Sequence, residues 1–320
     1  MGEATPTSSV EFRGEESTLR DRFGELLENE TFLGYGSLSP VMLLFLFIAV
    51  FPIVWALAGS FFSINAFNPV WEWTALGNYQ HIFLEDGFYW AAVTKSVIFG
   101  FGSVSVQVIL GIIFALILQR SFRGNAFARA VVLLPYLIPV IVVGLVFQWM
   151  MNPNYGVINL LAMRFGLINE AINFLGNTDM AMYALITAAS WKWSIFVVMM
   201  SLARLEAIPS GYYDAARVNG ANAWQRFRDI TLPNLKGMII LVVLLRGIWM
   251  FNKFDIIWIM TRGGPSQATT TLPVYAYRVA FNQWQLGESL AIASTLFLTL
   301  VVGAVIYFGK FNPEQEVRVE

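Results

Sequence analysis

The chain of 320 residues contains no cysteine and a single histidine, His81. Without thiols it has no disulfides and no thiolate metal sites, and one imidazole cannot assemble a histidine cluster. Charge is also scarce. Asp, Glu, Lys and Arg together make up 13% of the residues, against about 25% in soluble domains. No G-x-x-x-x-G-K-[ST] loop occurs, so the chain lacks the phosphate cradle by which P-loop proteins hold nucleotide. Internal repeats and low-complexity tracts are absent too. The net charge of −1 points to no particular partner, and no nucleic-acid partner is expected.

What is abundant is apolar sequence, at 57%. Apolar runs of about 20 residues recur, the length that crosses a bilayer core of about 30 Å. Six spans are expected, at 40–63, 92–119, 130–151, 181–203, 238–260 and 289–309. The expected fold class is therefore an all-α integral membrane protein. It has a cytoplasmic acidic tail over 1–37, a six-helix membrane domain over 38–310 with a polar loop at 206–236, and a cytoplasmic tail over 311–320. The first run is too long for a leader core and follows a polar tail with no basic start, so it reads as a span.

Basic residues set the orientation. Arg13, Arg20, Arg22, Arg120, Arg123, Arg129, Arg204, Arg217, Arg226, Arg228, Lys236, Lys310 and Arg318 fall on one side. Only Arg164, Arg262 and Arg278 fall on the other. This bias places both termini and the 206–236 loop in the cytoplasm of a multi-pass cell-membrane protein. In the acidic tail, Leu19, Phe23, Leu26 and Leu27 have helical spacing. Two readings stay open for it: a solvated tail, or an amphipathic helix over 16–29 that docks on a partner or the bilayer.

The loop is far longer than a turn requires, and it is punctuated. Ser210 is placed to cap a helix starting near Gly211, and Gly220 to end it. Asn222 and Gln225 have capping-box spacing for a second short helix, which Pro233 is expected to break before the next span. Tyr212, Tyr213, Ala215 and Ala216 give the first helix a compact face; Trp224, Phe227 and Ile230 give one to the second. Composition alone also fits a helix pair resting on lipid headgroups.

The order of residues is more specific. Asp214-Ala215-Ala216, then Gly220, then Ile230-Thr231-Leu232-Pro233 resembles the EAA loop of ABC importer permeases, with Asp214 where Glu is usual. Further similarities are Gly77-Asn78-Tyr79, Leu133-Leu134-Pro135 with Pro139, Asn152-Pro153 with Tyr155-Gly156, Trp191-Lys192, and Thr261-Arg262-Gly263-Gly264-Pro265. Together they span about 40–310 and resemble the carbohydrate branch, the permeases of maltose and glycerol-phosphate type. The resemblance implies that residues 211–220 form a coupling helix seated in a separate nucleotide-binding subunit. Tyr213, Asp214, Ala215, Ala216, Arg217, Gly220, Leu232 and Pro233 are the expected coupling residues. It also implies a second related permease, two ATPase subunits that bind the ATP and Mg, an extracytoplasmic solute-binding protein and a sugar substrate. No cofactor or metal is expected in this chain, and no catalysis.

Charges inside a bilayer are costly and face a cavity or a partner helix. Lys95 lies near a span end, where its stem reaches the interface; Lys192, Arg246, Lys253 and Asp255 lie deeper. On a continuous helical wheel Arg246, Trp249, Met250 and Lys253 share one face, while Phe251, Asp255 and Trp258 lie opposite, with Asn252 between. Rings stack on sugar C–H faces and polar groups satisfy hydroxyls. The resemblance puts substrate on these spans, giving Trp191, Lys192, Trp193, Phe196, Phe251, Asn252 and Asp255. Helix packing, with a Lys192–Asp255 ion pair, is the competing account. Loop 261–288 either docks the binding protein or caps the helices. Other classes fit less well. A secondary transporter would show matching broken helices in inverted halves, and a membrane enzyme would need a catalytic constellation. An ABC permease for a non-sugar solute (glycerol-phosphate, amino acid or polyamine) remains open.

Overall fold

The computed structural model describes residues 30–311 apart from 66 and 121. The tail helix expected at 16–29 lies outside the described residues, as does nearly all of the C-terminal tail. The chain divides into two compact units at Trp55/Ala56. Helix α1 (Glu30–Phe45) runs through a π-turn, Leu46–Val50, into α2 (Phe51–Gly59), within which the division falls. Ser37–Gly59 is continuous and apolar enough to cross a bilayer.

After α2 comes a feature absent from the sequence reading. The first span was expected to reach Ser63, but the helix ends at Gly59 and the chain turns into a hairpin, β1 (Phe62–Asn65) and β2 (Asn68–Trp73). The strands are antiparallel, with Phe62 opposite Trp73 and Asn65 opposite Asn68. The Gly77-Asn78-Tyr79 motif explains itself here, in α3 (Gly77–Gln80). The Asn78 amide donates to the carbonyls of Ser60 and Phe62 at 2.8 and 2.9 Å, and the Tyr79 hydroxyl lies 2.6 Å from Ser60 Oγ. After the π-turn His81–Glu85, Asp86 caps the long α4 (Gly87–Leu118) by accepting the Phe88 N–H. Asp86 also accepts the Tyr275 hydroxyl; burial and then this carboxylate push the Tyr275 pKa well above its ordinary value.

The third span is not the continuous helix expected. It is a bent pair, α5 (Asn125–Leu137) and α6 (Val140–Met150), at 100°. Pro139 forces the break: Ile138 before it is extended, with φ −78° and ψ 128°, as the residue preceding a proline must be to avoid its Cδ. A loop and the short α7 (Val157–Arg164) lead to α8 (Ala181–Glu206).

Helix α9 (Ser210–Val218), α10 (Ala223–Arg226), the π-turn Phe227–Thr231 and α11 (Leu232–Phe251) follow, then α12 (Asp255–Thr261), α13 (Leu272–Phe281) and α14 (Leu286–Lys310). Besides Ser37–Gly59, four helical stretches are long and apolar enough to span: Gly87–Leu118, Ala181–Glu206, Ala223–Phe251 and Leu286–Lys310. Counted as one span, the bent pair brings the described spans from five to six.

Glycines let α4 approach its neighbours. A Cβ at Gly111 would stand 2.5 Å from Val197 on α8, and one at Gly100 would stand 2.5 Å from the Phe251 ring on α11. Small residues at such crossings are how membrane helices gain packing where burial from water contributes little. One core, which includes Phe99, Val143, Leu185 and Ile257, packs α4, α6, α8 and α12; a second, with Ala115, Val198, Leu205 and Leu235, packs α4, α8 and α11.

Candidate functional site

The α9–α10 pair joins α8 to α11 and is held by its backbone ends. Helix α9 starts at Ser210, with Pro209 in the N-cap position and no side-chain cap bond. Ser210 is therefore the first helical residue and not the cap expected. The exit follows the expectation. Gly220 is left-handed at φ +76°, its N–H donates to Arg217 O at 3.0 Å, and the Ala221 N–H reaches Ala216 O at 2.9 Å. This is a Schellman closure, which places glycine where a Cβ would be strained. Asn222 and Gln225 form the capping box, at 2.9 and 2.7 Å.

Pro233 does not break the run. Helical backbone continues from Ala223 to Phe251, with Pro233 in the first turn of α11 directly after the π-turn. A first-turn proline costs little, because its missing N–H falls where intrahelical partners are interrupted.

None of the nine residues of α9 is buried. Asp214 and Arg217 pair with each other at 2.9 Å while each stays 62% exposed. Val218 (88%) and Trp224 (65%) are bare apolar side chains on this turn. Its base is firm: Tyr213 Oη lies 3.0 Å from Thr231 Oγ1, Arg204 Nε donates to Asn234 O at 2.9 Å, and Arg129 pairs with Glu206 at 2.9 Å. The geometry is a rigid mount carrying an uncovered helix.

The seven intramembrane candidates do not form one cluster. Lys192 is buried, and its Nζ donates to the carbonyls of Pro135 (2.9 Å) and Ile138 (2.6 Å), the acceptors freed where the third span breaks. A cation at a helix C-terminus satisfies orphan carbonyls and suits the dipole. The Lys192–Asp255 ion pair is not formed. Asp255 instead pairs with Lys253 at 3.6 Å, and Lys253 also stands 4.2 Å from the Trp193 ring centroid. The wheel had put Lys253 and Asp255 on opposite faces because it assumed a helix unbroken to 260. The helix ends at Phe251, and the chain turns before Asp255.

Trp191, half exposed, packs edge-on against Phe147 at 5.7 Å. Phe196 meets Trp249 at 5.3 Å, and both rings flank Arg246. Phe251 points away from these, onto Gly100 and Phe101. Asn252 is exposed, and its amide donates back to Ile248 O at 3.1 Å.

Sequence reasoning passed over Gln107. It is fully buried mid-helix, and its Oε1 accepts the Arg246 Nε at 2.8 Å. A lone amide in a long apolar run was the available signal. Among the described residues no group of three or more His, Asp or Glu side chains is placed to hold a metal ion.

A helical protein with five long apolar helices, a bent apolar pair, and the exposed α9–α10 pair between α8 and α11 has the fold of a type I ABC importer permease. Its backbone matches a chain of a bacterial ABC transporter that imports the acidic polysaccharide alginate. The TM-score is 0.75 at 20% identity, over 91% of this chain and 98% of that one. Residues 107–314 match the model of the binding-protein-dependent transport system inner membrane component, and the chain belongs to this family. It is 34% identical to the trehalose/maltose transport system permease protein MalF of Thermococcus litoralis, over 90% of this chain and 97% of that protein. It is 33% identical to the sulfoquinovosyl glycerol transport system permease protein SmoG of Agrobacterium fabrum, over 84% and 87%.

Proposed function

We propose that the chain is the membrane-spanning permease subunit of an importer that carries a mono-, di- or oligosaccharide into the cytoplasm, driven by ATP hydrolysis on separate subunits. The observation that carries this reading is the uncovered α9 helix on its firm base, in a chain with two relatives, each matched over most of its length, that bear the names of sugar permeases. Asp214, Ala215, Ala216 and Arg217 sit on that helix, Gly220 closes it, and Tyr213, Leu232 and Pro233 belong to its mount. Small alanines allow close entry into a groove, and the Asp214–Arg217 pair can open to meet charges there. ATP and Mg then belong to two partner ATPase subunits, and the basic bias puts α9 and both termini in the cytoplasm. A second related permease and an extracytoplasmic solute-binding protein complete the assembly. An alginate transporter chain of similar fold was solved in complex with a saccharide-bound periplasmic protein.

For the substrate path, Trp191, Trp193, Phe196 and Asn252 retain accessible surface. Lys192 acts through the bend, Asp255 through Lys253, and Phe251 through packing on α4. The test is purification of the assembled complex with its solute-binding protein, followed by vesicle uptake of radiolabelled maltose, trehalose and glycerol-3-phosphate. Saccharide uptake that needs both ATP and the binding protein is expected. Uptake of the phosphate ester with no saccharide uptake would move the chain to a non-sugar importer.

A further inference from the structure

At the end of α8 opposite α9, the loop after α6 encloses a cleft of about 500 Å³ whose polar surface outweighs its apolar surface. Trp149 and Tyr155 form one wall, with ring centroids 6.4 Å apart and a 39° tilt, and each is more than half exposed. Gln148, Asn152 and Asn173 supply the polar groups, and no charged side chain lines the cleft.

Bonds to backbone groups hold all three amides, within the loop for Asn152 and Asn173 and across to α12 for Gln148. Gln148 Nε2 donates to the carbonyls of Ile259 and Met260 at 3.0 and 2.8 Å, which leaves Oε1 as an acceptor. Asn152 Oδ1 accepts the Asn154 N–H and Asn173 Oδ1 the Gly176 N–H, each at 2.9 Å. Both Nδ2 groups remain donors without a partner among the described residues.

The loop itself is preorganised. Buried Asn159 donates to the carbonyls of Asn152 (3.3 Å) and Ile172 (2.9 Å) and accepts the Ile172 N–H at 2.9 Å. A Cβ at Gly156 would collide with the carbonyls of Asn152 and Met150. The Asn152-Pro153 and Tyr155-Gly156 motif thus builds a fixed wall and does not itself cross the membrane.

We propose that this cleft is a binding site for a neutral saccharide, separate from the intramembrane residues and resting on the saccharide-import reading above. Two aromatic faces suit the C–H face of a pyranose ring, and the Nδ2 groups of Asn152 and Asn173 with the Gln148 Oε1 in its lining suit its hydroxyls. The absence of lining Lys or Arg disfavours phosphate and carboxylate ligands, and the polar lining disfavours acyl chains. A fixed site loses little freedom on binding. A substrate released at this end of the spans would be held beside the path before it enters.

The test is saturation-transfer-difference NMR on the full complex in nanodiscs without its binding protein, using maltose, maltotriose and trehalose as probes. Transfer to pyranose C–H protons is expected, and Trp149→Ala should abolish it. Asn152→Asp with Asn173→Asp keeps both loop-holding acceptors, so the loop stays folded, but replaces both Nδ2 donors. It should raise the apparent Kd by roughly tenfold. Unchanged affinity in that double variant, or no transfer from any probe, overturns the site. Saccharide uptake by the complete system is measured in parallel. Intact uptake without transfer overturns this site alone, whereas absence of uptake for every saccharide overturns the import reading as well. If the double variant leaves saccharide signals unchanged but weakens docking of the binding protein, the cleft is a protein-docking surface and the proposal fails.

Discussion

Lys192 Nζ lies 2.6 Å from the carbonyl oxygen of Ile138, so a buried cation on one span closes the break in another. The bend and the lysine are one feature: Pro139 creates unpaired acceptors, and Lys192 satisfies two of them.

Lys192→Met should therefore destabilise the protein by at least about 1–3 kcal/mol, the cost of stranding buried acceptors. The loss should appear as a lower thermal midpoint of the purified chain. Exchange of charges between Lys192 and Asp255 should not restore it, because Asp255 is paired with Lys253. Recovery of the wild-type midpoint in the swapped variant would contradict the assignment.

Gly220→Val places a β-branched residue at φ +76°. A left-handed backbone costs about 1–2 kcal/mol for an ordinary residue, and no atom stands within 4 Å of the added Cβ. The penalty is thus in the backbone alone. Gly220→Asn should be tolerated better, since Asn visits this region more readily. Transport-coupled ATPase activity of the reconstituted complex is expected to fall for Val and largely survive for Asn, with membrane insertion normal for both.

Asp214→Lys removes an ion pair whose partners are each 62% exposed. Such pairs contribute about 0–1 kcal/mol, so the thermal midpoint should hardly move. If α9 docks on an ATPase subunit, assembly and uptake should nevertheless drop sharply. Wild-type uptake in this variant would remove the docking role.

Gln107→Leu leaves the Arg246 guanidinium without its oxygen acceptor, beside only the Met250 sulfur and two rings. Burying an unsatisfied charged donor costs at least about 1–3 kcal/mol. A lower midpoint is expected, and Arg246→Met in the same chain should recover part of it by removing the stranded charge.

Alanine at Phe251 and at Asn252 should separate two roles. Phe251 fills the notch at Gly100 but is only partly buried, so its loss should reduce stability by less than the about 3–5 kcal/mol of a fully buried aromatic. Asn252 is exposed with only a local bond, so Asn252→Ala should leave the midpoint unchanged. A selective loss of uptake there would place it on the substrate path.

The sequence by itself determined the membrane class and the closure of α9, because each depends on local chemistry. Apolar length decides whether a helix crosses a bilayer. Gly220 is needed at a left-handed exit, and Asn222 with Gln225 cap α10 whatever surrounds them. The order of short motifs also named the family. Only the tertiary structure decided which polar residues face one another. Lys192 was legible as an intramembrane charge, yet its partners are carbonyls exposed by a bend 54 residues earlier, and backbone acceptors leave no mark in composition. The wheel failed at Lys253 and Asp255 because the helix ends at Phe251, before both, and a new helix starting at Asp255 resets the angular register. Gln107 and Arg246 meet across 139 residues, a pairing fixed by how closely the glycines of α4 let α8 and α11 approach. Local propensity acts within a turn or two of helix, whereas a site assembled between spans depends on their crossing geometry.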